Sequence, residues 1–121
     1  MPLLRIETNL SAVQIPDDFN SKITGKLAEW LNKPRKIVLV SVSPDRLLTM
    51  GGTNEPAAHV ELRAIGGVRG QMTENLIVEL TNFVSTELKI AVDRFIIHLY
   101  DSDPELVGFN GQQRSKAIQK P

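Results

Sequence analysis

From Leu3 to Thr8 the chain alternates, with Leu4 and Ile6 apolar and Arg5 and Glu7 charged, which is the period-two signature of a strand with one buried face. Beyond Pro16-Asp17-Asp18 the period changes. Phe19, Ile23, Leu27 and Leu31 recur every four residues with Trp30 beside them, forming the apolar stripe of a helix, and the preceding acids suit the positive end of its dipole. Asn32-Lys33-Pro34 closes that helix, because proline cannot continue it. Residues 37–42 are an apolar, β-branched run bounded by Pro44, which predicts a strand buried on both faces or nearly so. Residues 44–56, with Gly51-Gly52 and Pro56, read as a loop.

The order then repeats. Residues 57–65 predict a third strand, and Gly66, Gly67 and Gly70 punctuate the chain. Residues 73–88 predict a second helix, with Leu76, Leu80, Val84 and Leu88 as its stripe. Residues 94–100 predict a fourth strand, Asp103-Pro104 a turn, and residues 106–109 a short extra strand. The two stripes superpose at one constant spacing. Leu4, Ile37 and Leu39 superpose on Leu62, Phe95 and Ile97 at a spacing one residue longer. This agreement predicts a duplicated β-α-β unit, hence an α+β fold: a four-stranded mixed sheet with two helices on one face. The apolar runs at 37–42 and 95–99 predict that the other face is also apolar and is covered by self-association. A short terminal strand pairing with a neighbour's sheet edge would serve the same end.

Composition narrows the chemistry. A length of 121 residues with 41% hydrophobic content suits one domain with its own core. Basic and acidic residues balance at 14 each, so no basic excess points to nucleic acid. Arg114, Lys116 and Lys120 are expected to be a solvated end. Cysteine is absent, which removes thiol catalysis, disulfides and thiolate zinc sites. The only histidines are His59 and His98, and no His, Asp or Glu spacing around them reads as a metal cluster. The glycine cluster lacks the Gly-Lys-Ser/Thr of a phosphate loop. No apolar run is long enough to span a membrane, and the first residues lack the shape of a signal peptide, so a cytoplasmic location is expected, with any secretion by a non-classical route.

Met1-Pro2 leading to Glu7-Thr8-Asn9-Leu10, then Pro16-Asp17, Asn32-Lys33-Pro34, Gly52-Thr53-Asn54-Glu55-Pro56, Ile65-Gly66, Asp93-Arg94 and Val107-Gly108-Phe109-Asn110 follow one another in order and spacing. Together they resemble the macrophage migration inhibitory factor and D-dopachrome tautomerase family, from Met1 to about Asn110, and Val107 to Gly111 is similar to nematode members. The resemblance implies a homotrimer with three active sites at subunit boundaries. It implies keto–enol tautomerisation of phenylpyruvate-like aromatic α-keto acids and dopachrome analogues, without a cofactor. It also implies, as the alternative role, secreted cytokine signalling through a cell-surface receptor of the invariant-chain type.

The same resemblance makes Pro2 the catalytic base, Lys33 the cation for the substrate carboxylate and Ile65 a backbone N–H contact to substrate. The chemistry is consistent with Pro2. Removal of Met1 is expected before a small residue and would leave a secondary amine. An α-amino group ordinarily titrates at about 7.7–8.0. Burial lowers that value, and a cation such as Lys33 acts in the same direction, so the amine becomes a usable base. The sequence departs from the family's best-known members at the pocket wall, where Ile96 and His98 replace a tyrosine and an asparagine and Phe109 replaces a tryptophan. Ala57 and Val60 occupy the positions of a Cys-x-x-Cys pair, so the thiol oxidoreductase activity of that motif is not expected.

Overall fold

A computed structural model describes residues 1–66 and 68–118; Gly67 and Lys120, both singled out above, lie outside the described residues. The chain runs β1 (Leu3–Thr8), α1 (Phe19–Leu31), β2 (Leu39–Ser43), β3 (Ala58–Ile65), α2 (Gln71–Leu88) and β4 (Phe95–Ser102). A hairpin of β5 (Gly108–Phe109) and β6 (Gln112–Gln113) and a short α3 (Arg114–Ile118) follow. The long strands form one sheet in the order β2-β1-β3-β4. β1 with β2 and β3 with β4 are parallel, as crossover helices require, while β1 and β3 are antiparallel. The architecture is therefore the mixed, duplicated β-α-β sheet expected. Leu4 and Leu62, which match in the duplication, are register partners across β1 and β3. Matched residues can face each other only where a local two-fold passes between them, so the axis of the duplication runs through the middle of the sheet.

The helix stripes are the buried faces: Phe19, Ile23, Leu27 and Leu31 on α1, and Leu76, Leu80, Val84 and Leu88 on α2. They join Leu4, Ile6, Val60 and Leu62 in one core. Phe83 ties the helices together, its ring 5.7 Å from Phe19 and 6.5 Å, edge-on, from Trp30. α1 stops before Pro34 is reached. Asn32 turns left-handed at φ 51°, and the Asn32 and Lys33 N–H groups donate to Glu29 and Ala28 carbonyls, a Schellman closure. Lys89, at φ 56°, ends α2 at the equivalent place.

Three expectations about strands are corrected. Residues 37–42 are not a strand buried on both faces: Arg35–Ile37 is a 3-10 turn, and β2 starts at Leu39 as a sheet edge with no fully buried residue. Val40 and Val42 pack against the core, while Leu39, Ser41 and Ser43 lie on the open face. β4 divides in the same way, with Phe95, Ile97 and Leu99 inward and Ile96, His98 and Tyr100 outward. The open face is consequently mixed rather than apolar, since Arg5, Glu7, His59, Glu61 and Arg63 share it. Continuous apolar runs concealed which alternate set the helices cover. Finally, Leu106, the first residue of the expected extra strand, belongs to a 3-10 turn, Pro104–Leu106, capped by the Asp103 carboxylate, and β5 pairs with β6 of its own chain.

Candidate active site

The site grows from the beginning of β1. Pro2 is buried, and its carbonyl accepts a hydrogen bond from the Leu39 N–H at 2.9 Å, continuing the β1–β2 ladder by one residue. Around it opens a cavity of about 400 Å³, where β1 and β2 begin and β3 and β4 end. Leu3, Ile37, Val38 and Leu39 line it, together with Val107, with Gly108 and Phe109 of β5, and with Ser102 at the end of β4. Lys36 and Arg63 bring two cations to the lining, and no carboxylate lines the cavity among the described residues.

Electrostatics follow from that lining. The Met1 ammonium is pushed below its ordinary value, first by burial and then by the positive charges of Arg114 and Lys33. The solvated role expected for Arg114 is thus corrected: it is half-buried, and its guanidinium lies 5.8 Å from the centre of the Phe109 ring. Arg63 is engaged elsewhere, donating to the Glu61 carboxylate at 2.9 Å and stacking 4.1 Å above the Tyr100 ring. Lys36 makes no ion pair with the described residues, so of the two lining cations it is the one available to an anion.

The three site residues expected from sequence are placed differently. Pro2 lines the cavity. Lys33 stands one residue beyond the left-handed turn of α1, exposed and outside the lining, although its charge reaches the terminal amine. Ile65 ends β3, buried and outside the lining, while its register partner Ser102 lines it. Ile96 is 51% exposed on the open face, with His98 two residues further along the same strand face. Sequence reading missed Lys36, Arg63 and Ser102. The signal for the first two was the sheet register, since Leu3 pairs with Leu39 and Arg63 and so carries both neighbourhoods to Pro2.

The profile of the macrophage migration inhibitory factor (MIF) family matches residues 1–114. The chain belongs to this family. Mouse macrophage migration inhibitory factor is 37% identical over 111 residues, covering 92% of this chain and 96% of that protein. The MIF-like protein mif-2 of Caenorhabditis elegans is 32% identical over 120 residues, covering 99% of this chain and all of that one. The solved structure of the macrophage migration inhibitory factor from Trichinella spiralis superposes with a TM-score of 0.89 at 31% identity, covering 92% of this chain and 98% of that chain.

Several family-like segments meet around the 44–56 loop of this MIF-family chain. Asn9 donates to the Glu55 carbonyl at 3.0 Å and accepts from the Ala57 N–H at 2.9 Å. Arg94 donates to the Met50 and Glu55 carbonyls at 2.7 and 2.8 Å. Asn9, just after β1, and Arg94, just before β4, thus tie the loop down through its backbone carbonyls. Gly66, at φ 72°, turns the chain after Ile65 and donates its N–H to the Asp101 carboxylate at 3.1 Å.

Proposed function

We propose that the protein is a cofactor-free keto–enol tautomerase acting on an aromatic α-keto acid, with the Pro2 amine as general base. The observation that carries this reading is the buried position of Pro2 in a cavity lined by apolar residues and cations. The reading requires removal of Met1, because a Pro2 nitrogen acylated by Met1 is an amide and has no basic lone pair. The Met1 ammonium is held below its ordinary value by burial and by Arg114 and Lys33, and the reading takes the freed Pro2 amine to meet the same burial and charges. That amine takes a proton from the carbon beside the ketone while the carbonyl oxygen gains one from solvent or the site, and the reverse transfer regenerates the ketone. No electrons change hands. Lys33 and Lys36 supply positive charge for the carboxylate, Phe109 an aromatic wall, and Ile65 the backbone N–H contact that its family position implies.

The proposed assembly is a homotrimer that covers the open sheet face, where Leu39 and Ile96 are 63% and 51% exposed. Sedimentation gives the assembly, and mass spectrometry of the mature chain shows whether Met1 is gone. The activity is tested with phenylpyruvate and D-dopachrome methyl ester on wild type and Pro2→Gly. Equal rates in the two proteins would overturn the base.

A second reading is cytokine-like signalling through a cell-surface receptor, with the tautomerase pocket vestigial. It draws support from the names of the relatives and from Ile96, which offers a substrate no hydrogen bond. Receptor binding retained by an inactive Pro2→Gly protein would favour it, and absence of any saturable cell-surface binding would remove it.

A further inference from the structure

Beside the cavity stands a half-buried cation, Arg114, with no ion pair among the described residues. Its backbone N–H donates to the Val107 carbonyl at 2.9 Å, one step along the hairpin from the Gly108–Gln113 pair. Facing residues of an antiparallel pair share a side of the ladder, and sides alternate along each strand. Val107, Phe109 and Arg114 therefore lie on one side of the hairpin. Val107 and Phe109 line the cavity, and the Arg114 guanidinium stands 5.8 Å from the centre of the Phe109 ring. We propose, building on the tautomerase reading, that the cavity takes an aromatic α-keto acid with a second anionic group on its ring, Lys36 meeting the keto-acid carboxylate and Arg114 the ring anion.

Charge balance is the first reason. Lys36 and Arg63 line the cavity, and no carboxylate does among the described residues. Arg63 is neutralised by Glu61 at 2.9 Å. Asp101, next to the lining residue Ser102, is held by the Gly66 N–H at 3.1 Å and by Arg69 at 3.7 Å. Lys36 and Arg114 are left with no ion pair among the described residues. A substrate with one carboxylate answers Lys36 and leaves the half-buried Arg114 without a counter-charge as water is displaced, which is unfavourable. A second anion on the substrate removes that penalty.

Placement is the second reason. Lys36 belongs to the 3-10 turn before β2, and Arg114 opens α3 after the hairpin, so the two cations reach the substrate from different elements. Phe109 is the aromatic residue of the lining, and a substrate ring packs against it. A group carried on that ring is brought toward the neighbouring guanidinium, while the keto-acid end is left to Lys36 and Pro2. The hairpin is separate from the four-stranded sheet, so Arg114 is not on the sheet face that the proposed trimer covers. The ring anion takes no part in the proton transfers, and the bonds made and broken are those of the tautomerisation alone.

The test compares para-carboxyphenylpyruvate with para-carbamoylphenylpyruvate on the mature full-length protein, two substrates of nearly one shape that differ by a charge. The wild type is expected to favour the carboxylate in kcat/KM by about tenfold, as a hydrogen bond between charged groups gives, and by less as salt is raised. Arg114→Ala is expected to bring the ratio to about one, and Arg114→Lys to keep part of it. Any effect of Arg114 on the amine acts on both substrates alike and cancels in the ratio. Circular dichroism confirms that the variants fold, and the wild-type ratio needs no variant. A ratio of about one in an active wild type, or a ratio unaltered in folded Arg114→Ala, overturns the inference and leaves the Pro2 base standing. Equal rates in wild type and Pro2→Gly overturn the base instead. Calorimetry with the unreactive pair para-carboxyphenylacetate and para-carbamoylphenylacetate then decides the anion site: the dicarboxylate is expected to bind about tenfold more tightly, and equal affinities overturn it.

Discussion

The Leu39 N–H donates to the Pro2 carbonyl at 2.9 Å. This bond fixes the first residue of the ladder against the edge strand, so the nitrogen on the other side of the Pro2 ring has little freedom to leave the cavity. The base proposed at Pro2 would, held in this way, lose little entropy on meeting substrate.

The acid limb of the pH profile is the sharpest consequence. Burial first, then Arg114 and Lys33, hold the Met1 ammonium below its ordinary value, and the base proposed at Pro2 is expected to feel the same cations once Met1 is removed. Removing a cation by Arg114→Ala is then expected to raise the pKa of that base, so more of it is protonated at a given pH. The acid limb of kcat/KM is expected to move to higher pH, and Lys33→Ala to move it in the same direction by less. Lys116→Ala, an exposed change on the same short helix, serves as the reference and is expected to leave the limb in place. Steady-state rates against pH decide the matter.

Lys36 lines the cavity without an ion pair to the described residues. Its replacement by Ala is expected to raise KM for phenylpyruvate about tenfold, the usual worth of a hydrogen bond to a charged group. Lys36→Arg, which keeps the charge, is expected to recover most of that loss.

Arg94 holds the 44–56 loop through the carbonyls of Met50 and Glu55. Arg94→Ala removes both of these bonds, and hydrogen exchange of the Met50 and Thr53 amides, which bond each other's carbonyls, is expected to quicken while α1 amides are unaffected.

Leu80 is fully buried between α2 and the sheet. Leu80→Ala is expected to destabilise the fold by about 2–5 kcal/mol, the cost of lost burial and of the cavity left behind. Urea denaturation at fixed protein concentration measures it, because any dissociation of subunits is linked to unfolding.

The sequence by itself determined the elements and their order. The stripes of α1 and α2, the alternation of β1, and the match between halves are properties of residues close together in the chain, and the buried residues of both helices were all legible there. Pro2 and the family segments were legible for the same reason. The tertiary structure decided what depends on register. It decided which face of β2 and β4 the helices cover, a question that Val38-Leu39-Val40 cannot answer while every position is apolar. It brought Lys36 and Arg63 to Pro2 through two strand pairings, turned Arg114 back over Phe109, and set His59 against His98. Each of these contacts joins residues whose separation is fixed only once sheet and hairpin have formed, and no local period in the chain records it.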